Sequence, residues 1–176
     1  MLDEFNLKYL KTGKNWWGNK YAFQVGCKFY NPFDIKPVIL QFEYNQARPY
    51  TYSHKFQLQN YGNLLQPLAH PLGSNFREAI AIVRYGYGKW SVHFRSINSF
   101  KGINNSPNEN VGGDIYQSNS TFVSFYGNYI LQGKRTDHFI QELKVSRSLI
   151  PSWNLQAEVT GSYRIIKDGT TRNTFL

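Results

Sequence analysis

A strict two-residue alternation of side chains runs through most of this chain, and it limits the folds that the chain can adopt. Between Asn154 and Ile165, one set of alternate residues carries no charge: Leu155, Ala157, Val159, Gly161, Tyr163 and Ile165. The other set is polar and includes Glu158 and Arg164. Because strand side chains alternate between two faces, the pattern predicts a strand with one apolar and one charged face. A lipocalin-like barrel or soluble sandwich would turn the apolar face inward, whereas an outer-membrane barrel would turn it outward to lipid.

Comparable runs recur along the chain, near residues 5–9, 21–30, 38–45, 78–87, 90–100, 139–145 and 170–176. Most are about ten residues long, which suits a tilted strand crossing a bilayer better than a strand of a soluble sheet. Several apolar faces carry an aromatic residue near one end, where membrane barrels place their interfacial girdles: Tyr44, Tyr87, Trp90 and Phe100. We therefore expect an all-β fold, an antiparallel transmembrane β-barrel with about eight strands in this sequence.

The connections differ in length in the way that membrane barrels require. We expect a single unit over residues 1–176 with long outer connections at 11–19, 48–75 and 101–137 and short turns at 31–36, 86–89 and 150–152. Residues 121–131 are interpreted as part of an outer loop or hairpin. The last strand, from Thr170, reaches only about half of the length needed, so closure of a barrel is expected to need further strands.

Composition excludes several classes of protein. No stretch approaches the roughly 18 apolar residues of a membrane-spanning helix. The net charge is +9, but the basic residues are scattered, so we predict no nucleic-acid partner. Cys27 has no second cysteine to pair with, and His54, His70, His93 and His138 show no metal-ligand spacing, so no metal or cofactor is predicted. His70, between Ala69 and Pro71, is interpreted as a loop-folding residue.

Three motifs resemble a known family. They are E-Y-N-Q-A-R-P-Y-T-Y-S-H at 43–54, N-Y-G-N with Q-P-L-A-H-P-L-G-S-N within 60–75, and G-N-Y-I-L-Q-G at 127–133. The sequence resembles the barrel of the Wzi-type capsule assembly proteins and, more closely, the RemB-like gliding-motility outer-membrane proteins. The resemblance implies the C-terminal part of a barrel of up to eighteen strands in the bacterial outer membrane. It further implies a non-enzymatic role in holding capsular polysaccharide, or in surface adhesion and movement with partner proteins.

A surface polysaccharide is the predicted ligand, because aromatic faces stack on sugar rings while amide and guanidinium groups bind hydroxyl and acidic groups. The candidate contacts combine these types on the predicted outer connections: Trp16, Trp17, Arg48, Tyr50, Tyr52, His54, Asn60 and Tyr61. Equally, Trp16 and Trp17 could anchor a strand end while the tyrosine-rich loop folds over the barrel mouth. Two alternatives remain open, a soluble ligand-binding barrel and an outer-membrane hydrolase that uses Ser53 and His54.

Overall fold

The alternating segments from residue 22 onward form one antiparallel sheet in the computed structural model of this chain, which describes residues 4–169 and 171–175. The sheet contains seven strands: β1 (Ala22–Tyr30), β2 (Val38–Ala47), β5 (Phe76–Tyr87), β6 (Trp90–Ile103), β7 (Lys134–Ile150), β8 (Leu155–Asp168) and β9 (Thr171–Phe175). A separate two-stranded ribbon pairs β3 (Gly62–Asn63) with β4 (Gln66–Pro67). The prediction of an antiparallel all-β fold is confirmed.

The sheet is open, with the order β1-β2-β5-β6-β7-β8-β9. Each strand of the sheet therefore pairs with its neighbours along the chain, and β1 and β9 lie at opposite edges. Within the described residues β1 does not pair with β9, so the sheet is not closed into a barrel. The prediction of about eight strands is wrong by one strand at the N-terminal end.

A short helix takes the place of the first predicted strand. Residues near the start were expected to alternate as a strand, but Leu7–Lys11 form a short α-helix, α1. The Asn6 side chain caps this helix by accepting a hydrogen bond from the Lys8 backbone N–H, and five residues of alternation are too few to prevent such a turn. The other helices are single 3₁₀ turns at Pro32–Asp34, Gln57–Gln59, Asn119–Thr121 and Pro151–Trp153. No helix within the described residues has the length and apolar character needed to cross a membrane.

The long segments gather at one end of the sheet, together with the short β8–β9 connection, and the β1–β2, β5–β6 and β7–β8 turns lie at the other end. Residues 48–75 connect β2 to β5, as predicted, while the predicted connection 101–137 shrinks to 104–133 because β6 and β7 extend further. The predicted connection 11–19 belongs to the segment that links α1 to β1. Residues 121–131 contain no strand and lie within a loop, as interpreted from the sequence. We call segments 4–21, 48–75 and 104–133 the loop layer.

One face of the sheet carries no charge over its central rows. The strand register places Phe29, Leu40, Val83, Phe94, Leu143 and Gly161 in one row across six strands. Rows above and below are also uncharged, and their polar members Ser96, Asn98 and Gln141 hydrogen-bond to one another. Val25 and Val159 on this face are 59% and 76% exposed, so little of the described chain covers it. We call this side the apolar face.

The opposite side, the polar face, carries charges in its central rows, whereas the charges of the apolar face lie near the strand ends. The row adjacent to the one that runs from Phe29 to Gly161 contains Lys28, Gln41, Ile82, Arg95, Glu142 and Ser162. Arg95 pairs with Glu142 at 3.0 Å, and Lys144 pairs with Glu158 at 3.0 Å. The predicted separation of charges between the two faces of these strands is therefore confirmed by the register.

The loop layer packs on the polar face, at the end where the long connections lie. Its apolar core joins Ala47 and Phe76 on the strand ends to Tyr52 and Ile115 in the loops. At the same level of the sheet, Phe23 on the apolar face is 45% exposed. The core of the described chain is thus a contact between loops and strand ends, and it leaves the apolar face uncovered.

Asn75 connects the loops through its side chain. Its Nδ2 donates to the backbone carbonyls of Gly102 at 3.0 Å and Gln132 at 2.9 Å, and its Oδ1 accepts from the Leu131 N–H at 2.7 Å. Asn75 is fully buried and has a φ of 57°, a left-handed conformation that asparagine tolerates better than most residues. One side chain thereby satisfies backbone groups from β6 and from the second long loop.

Replacing Asn75 by Ala is expected to destabilise the loop layer by about 3 kcal/mol or more, because several buried backbone groups lose their partners and Ala enters a left-handed conformation. Hydrogen exchange of the backbone amides of residues 127–133 measures the effect. The exposed Asn63, changed to Ala, serves as the control and should leave exchange unchanged. Equal protection in the two variants would contradict the role assigned to Asn75.

Candidate functional site

An aromatic cluster on the loop layer is the strongest candidate for a binding surface. It consists of Tyr9, Trp16, Trp17, Tyr50, Phe122, Phe125 and Tyr126. Two pairs of rings are stacked, Tyr9 with Trp16 and Trp17 with Phe122, each with centroids 4.5 Å apart. Edge contacts between the other rings hold the set together, as is usual for aromatic side chains.

Backbone hydrogen bonds hold the two segments of the aromatic cluster side by side. The Trp17 N–H donates to the Phe125 carbonyl at 3.2 Å, and the Gly127 N–H donates to the Lys14 carbonyl at 2.9 Å. The Asn128 N–H also donates to the carbonyl of Asn15 at 3.0 Å. These backbone hydrogen bonds explain why residues more than a hundred positions apart in the sequence form one surface.

One lysine lies beside an exposed ring of the aromatic cluster, and two more lie on α1, the helix that carries Tyr9. Phe125 and Tyr126 are 44% and 38% exposed, and the Lys14 ammonium lies 5.7 Å from the centroid of the Tyr126 ring. Lys8 and Lys11 on α1 are exposed as well. Ring faces can stack on the C–H side of a sugar, while ammonium groups attract carboxylates, so this surface suits an acidic saccharide.

Four of the eight residues predicted as glycan contacts lie in or under the aromatic cluster. Trp16 and Trp17 are partly exposed members of it, whereas Tyr50 is a buried member and Arg48 is buried close by. The Arg48 guanidinium donates to the Asn128 carbonyl at 2.8 Å. We therefore reassign Arg48 and Tyr50 to the folding of the loop layer, because buried groups bound to backbone do not face a polymer.

The other four predicted contacts lie together in the 48–75 connection, apart from the aromatic cluster. The Asn60 side chain accepts from the His54 N–H at 2.5 Å, and the Tyr61 N–H donates to the Tyr52 carbonyl at 2.9 Å. Tyr52 and Asn60 are buried, and we reassign them to folding as well. His54 is partly exposed and Tyr61 is 44% exposed.

Sequence reasoning missed four of the seven residues of the aromatic cluster. Tyr9 was placed in a strand, and Phe122, Phe125 and Tyr126 were not considered as contacts. The high density of aromatic residues in the segment F-V-S-F-Y at 122–126 was the sequence signal that could have identified them as contacts. Only the fold brings this segment next to Trp16 and Trp17.

The histidine and serine candidates have structural partners. The His70 Nε2 lies 2.9 Å from a carboxylate oxygen of Glu78, and its ring stacks on Phe76 with centroids 4.3 Å apart, which confirms the loop-folding interpretation. The buried Ser53 hydroxyl donates to the Tyr50 carbonyl at 2.7 Å. A nucleophile must instead lie within hydrogen-bond reach of a base, so this arrangement does not favour the hydrolase alternative. No cluster of three potential metal ligands occurs within residues 4–169 and 171–175.

Comparison of this chain with protein-family models, with curated proteins and with solved structures finds no match.

Tyr50 lies at the junction between the aromatic cluster and the buried polar contacts. Its hydroxyl donates to the Asn110 carbonyl at 2.8 Å and accepts from the Val123 N–H at 3.3 Å. Burial raises the pKa of Tyr50, and the hydrogen bonds from Val123 and Gln132 offset part of that increase. The neutral phenol is therefore the form that the folded loop layer requires.

The loop layer is expected to lose stability as pH rises above about 10, the ordinary pKa of tyrosine. The folded state holds the Tyr50 proton more tightly than the unfolded state, so the stabilisation is complete below that pH and is lost as pH rises through the folded pKa. Absorbance at the tyrosinate wavelength should show one late-titrating tyrosine, which disappears in Tyr50→Phe. Exposed Tyr61→Phe should retain it. A late component that persists in Tyr50→Phe would contradict the assignment.

Proposed function

We propose that this chain is a non-enzymatic segment of a bacterial outer-membrane β-barrel whose loop layer faces outward and binds a surface polysaccharide. The observation that carries the proposal is the apolar face, whose uncharged central rows continue across all six long strands and are little covered by the described chain. In a membrane barrel, lipid covers such a face. The polysaccharide part rests on the aromatic cluster and its lysines.

The height of the uncharged band supports a bilayer. On the apolar face of β7, the charged residues that limit the band are Asp137 and Arg147, with Phe139, Gln141, Leu143 and Val145 between them. Ten residues of strand span about 33 Å. With a strand tilt of about 40°, this becomes about 25 Å along the membrane normal, the usual height of the apolar band in membrane barrels.

The position of the loop layer supports the proposal that the polar face lines the lumen of the barrel. The loops pack on the polar face, and its ion pairs Arg95–Glu142 and Lys144–Glu158 suit a water-filled interior. A lipocalin-like barrel would instead enclose the apolar face and expose these charges. The arrangement therefore favours the membrane orientation over the soluble alternative.

Aromatic residues near both limits of the band add further support. Tyr87 and Trp90 lie at the turn end of the apolar face, where the Arg147 guanidinium lies 5.1 Å from the Trp90 ring. Phe23 and Phe100 lie at the loop end. Aromatic girdles at the two interfaces are typical of membrane barrels.

The resemblance to Wzi-type and RemB-like proteins agrees with this proposal. It adds capsule attachment and motility-associated adhesion as the two settings in which a polysaccharide-binding barrel would act. The apparent mass of the native polypeptide in detergent-extracted outer membranes, with and without boiling, tests the proposal. A band that shifts on heating is expected, whereas a soluble protein without a shift would refute the membrane assignment.

Adjacent positions on β8 provide a sharper test. Gly161 lies in the central row of the apolar face with open space around it, and Ser162 lies on the polar face. Gly161→Arg should destabilise the barrel in lipid by about 2–4 kcal/mol, because a charge enters the middle of the bilayer. Gly161→Leu and Ser162→Arg, the controls for size and for charge, should have little effect on unfolding by denaturant in vesicles. Equal stability of both arginine variants would contradict a lipid-facing apolar face.

Binding of the polysaccharide should depend on the aromatic cluster and its lysines. Tyr126→Ala and Lys14→Gln are expected to weaken retention of an acidic polysaccharide such as polygalacturonate by about tenfold when combined, since stacking and charge are both lost. Lys89→Gln, at the turn end of the sheet, is the matched control. Retention of neutral dextran should not respond to Lys14→Gln. Unchanged retention of polygalacturonate by the double variant would locate the ligand elsewhere.

A further inference from the structure

The ribbon β3–β4 ends in two exposed leucines held in an unfavourable conformation. Leu64 and Leu65 are the central residues of a two-residue turn, with φ of 48° and 60°. Such turns favour Asn-Gly, because a left-handed conformation costs other residues roughly 1–2 kcal/mol each. Leu64 and Leu65 are 88% and 79% exposed, so no packing within the described chain offsets that cost. Strain of this kind concentrates at functional sites.

The leucines belong to a larger apolar protrusion over residues 56–68. Phe56, Leu58 and Leu68 are 61%, 100% and 58% exposed. Glutamine and asparagine separate these residues, and no acidic residue occurs between Glu43 and Glu78. Exposed leucines offer no aromatic face to a sugar, whereas apolar anchors with few charges are typical of the centre of a protein–protein interface.

The base of the protrusion is fixed, so the leucines are presented on a rigid support. The Leu68 N–H donates to the Tyr61 carbonyl at 3.1 Å, and the Tyr61 N–H donates in turn to Tyr52. Gly62 approaches the hydroxyl group of Tyr116 so closely that a Cβ atom would collide with it. A preorganised apolar anchor loses little entropy when it binds.

The position of the protrusion argues against lipid as the group that covers it. His70 lies two positions after Leu68. Its side chain bonds to Glu78 and stacks on Phe76, and both of these residues lie on the polar face. In the proposed function lipid contacts the apolar face, on the opposite side of the sheet, so this argument rests on the proposed function. Lys55, immediately before the protrusion, adds a positive charge beside Phe56.

We propose that the Leu64–Leu65 turn is a docking element for a protein partner that presents an apolar groove with acidic residues at its rim. The two leucines enter the groove, the neighbouring amide side chains bond across its edge, and Lys55 faces the carboxylates. This surface is separate from the aromatic cluster and takes a different class of ligand.

Photo-cross-linking in cells tests the proposal, with benzoylphenylalanine replacing the fully exposed Leu58 in the full-length protein. The expected product is an adduct with another protein. Because capture alone does not identify the contact, the cross-linked protein is then purified and titrated against the unsubstituted protein and its variants. An adduct with lipid, an adduct with a second copy of this chain, or the absence of any adduct would overturn the proposal.

The decisive variant combines Leu64→Asn with Leu65→Gly, which removes both anchors and relaxes the turn, so unfolding cannot explain a loss of binding. Affinity should fall by about tenfold or more, as expected for interface anchors. Lys55→Gln should weaken binding a few-fold and reduce its salt dependence. Leu7→Ser, which replaces an exposed leucine on α1, should bind normally. Unchanged affinity of the double variant would overturn the proposal, whereas a missing heat shift of the unsubstituted protein would overturn only the membrane assignment.

Discussion

The side chain of Asn75 is the contact on which the loop layer depends. It satisfies backbone groups from β6 and from the second long loop, groups that would otherwise be buried without partners. The neighbouring Gln132 extends the same arrangement, because its Nε2 donates to the Val111 carbonyl at 2.8 Å. Long loops rarely build an apolar core of their own. The loop layer is held together largely by amide side chains, whose hydrogen bonds replace the regular backbone hydrogen bonds of secondary structure.

The division of the molecule into two regions follows from this arrangement. In the strands, the ladder satisfies the backbone, and the side chains are free to separate into an apolar and a charged face. In the loop layer, side chains must satisfy the backbone, which is why buried Asn and Ser residues concentrate there, together with Arg48. The few apolar core residues lie where the regions meet, at Ala47 and Phe76.

The two proposed binding surfaces differ in chemistry because they come from different parts of the loop layer. The aromatic cluster combines stacked rings with lysines and suits a polar, acidic polymer. The Leu64–Leu65 turn combines aliphatic side chains with uncharged amides and suits a protein groove. A barrel that holds a polymer and docks a protein on the same side would connect the cell surface to other machinery.

The motifs that carry the family resemblance are also the residues of the buried network. Arg48 and Tyr50 come from the first motif, Asn75 from the second, and Asn128 with Gln132 from the third. From the sequence, Arg48 and Tyr50 were interpreted as ligand contacts. Their burial shows instead that exposed-looking polar and aromatic residues of a loop can be needed for its folding.

The sequence by itself determined the strands, their two faces and the lengths of their connections, because alternation is a local property of extended backbone. Leu155 to Ile165 illustrates this, since its register places the uncharged set on one face as predicted. The sequence misassigned residues 5–9, where a five-residue pattern competed with the cap from Asn6. Only the tertiary structure decided which loop residues are buried and which meet in the aromatic cluster. Contacts such as Trp17 with Phe122 join segments far apart in the chain, and no local pattern encodes them.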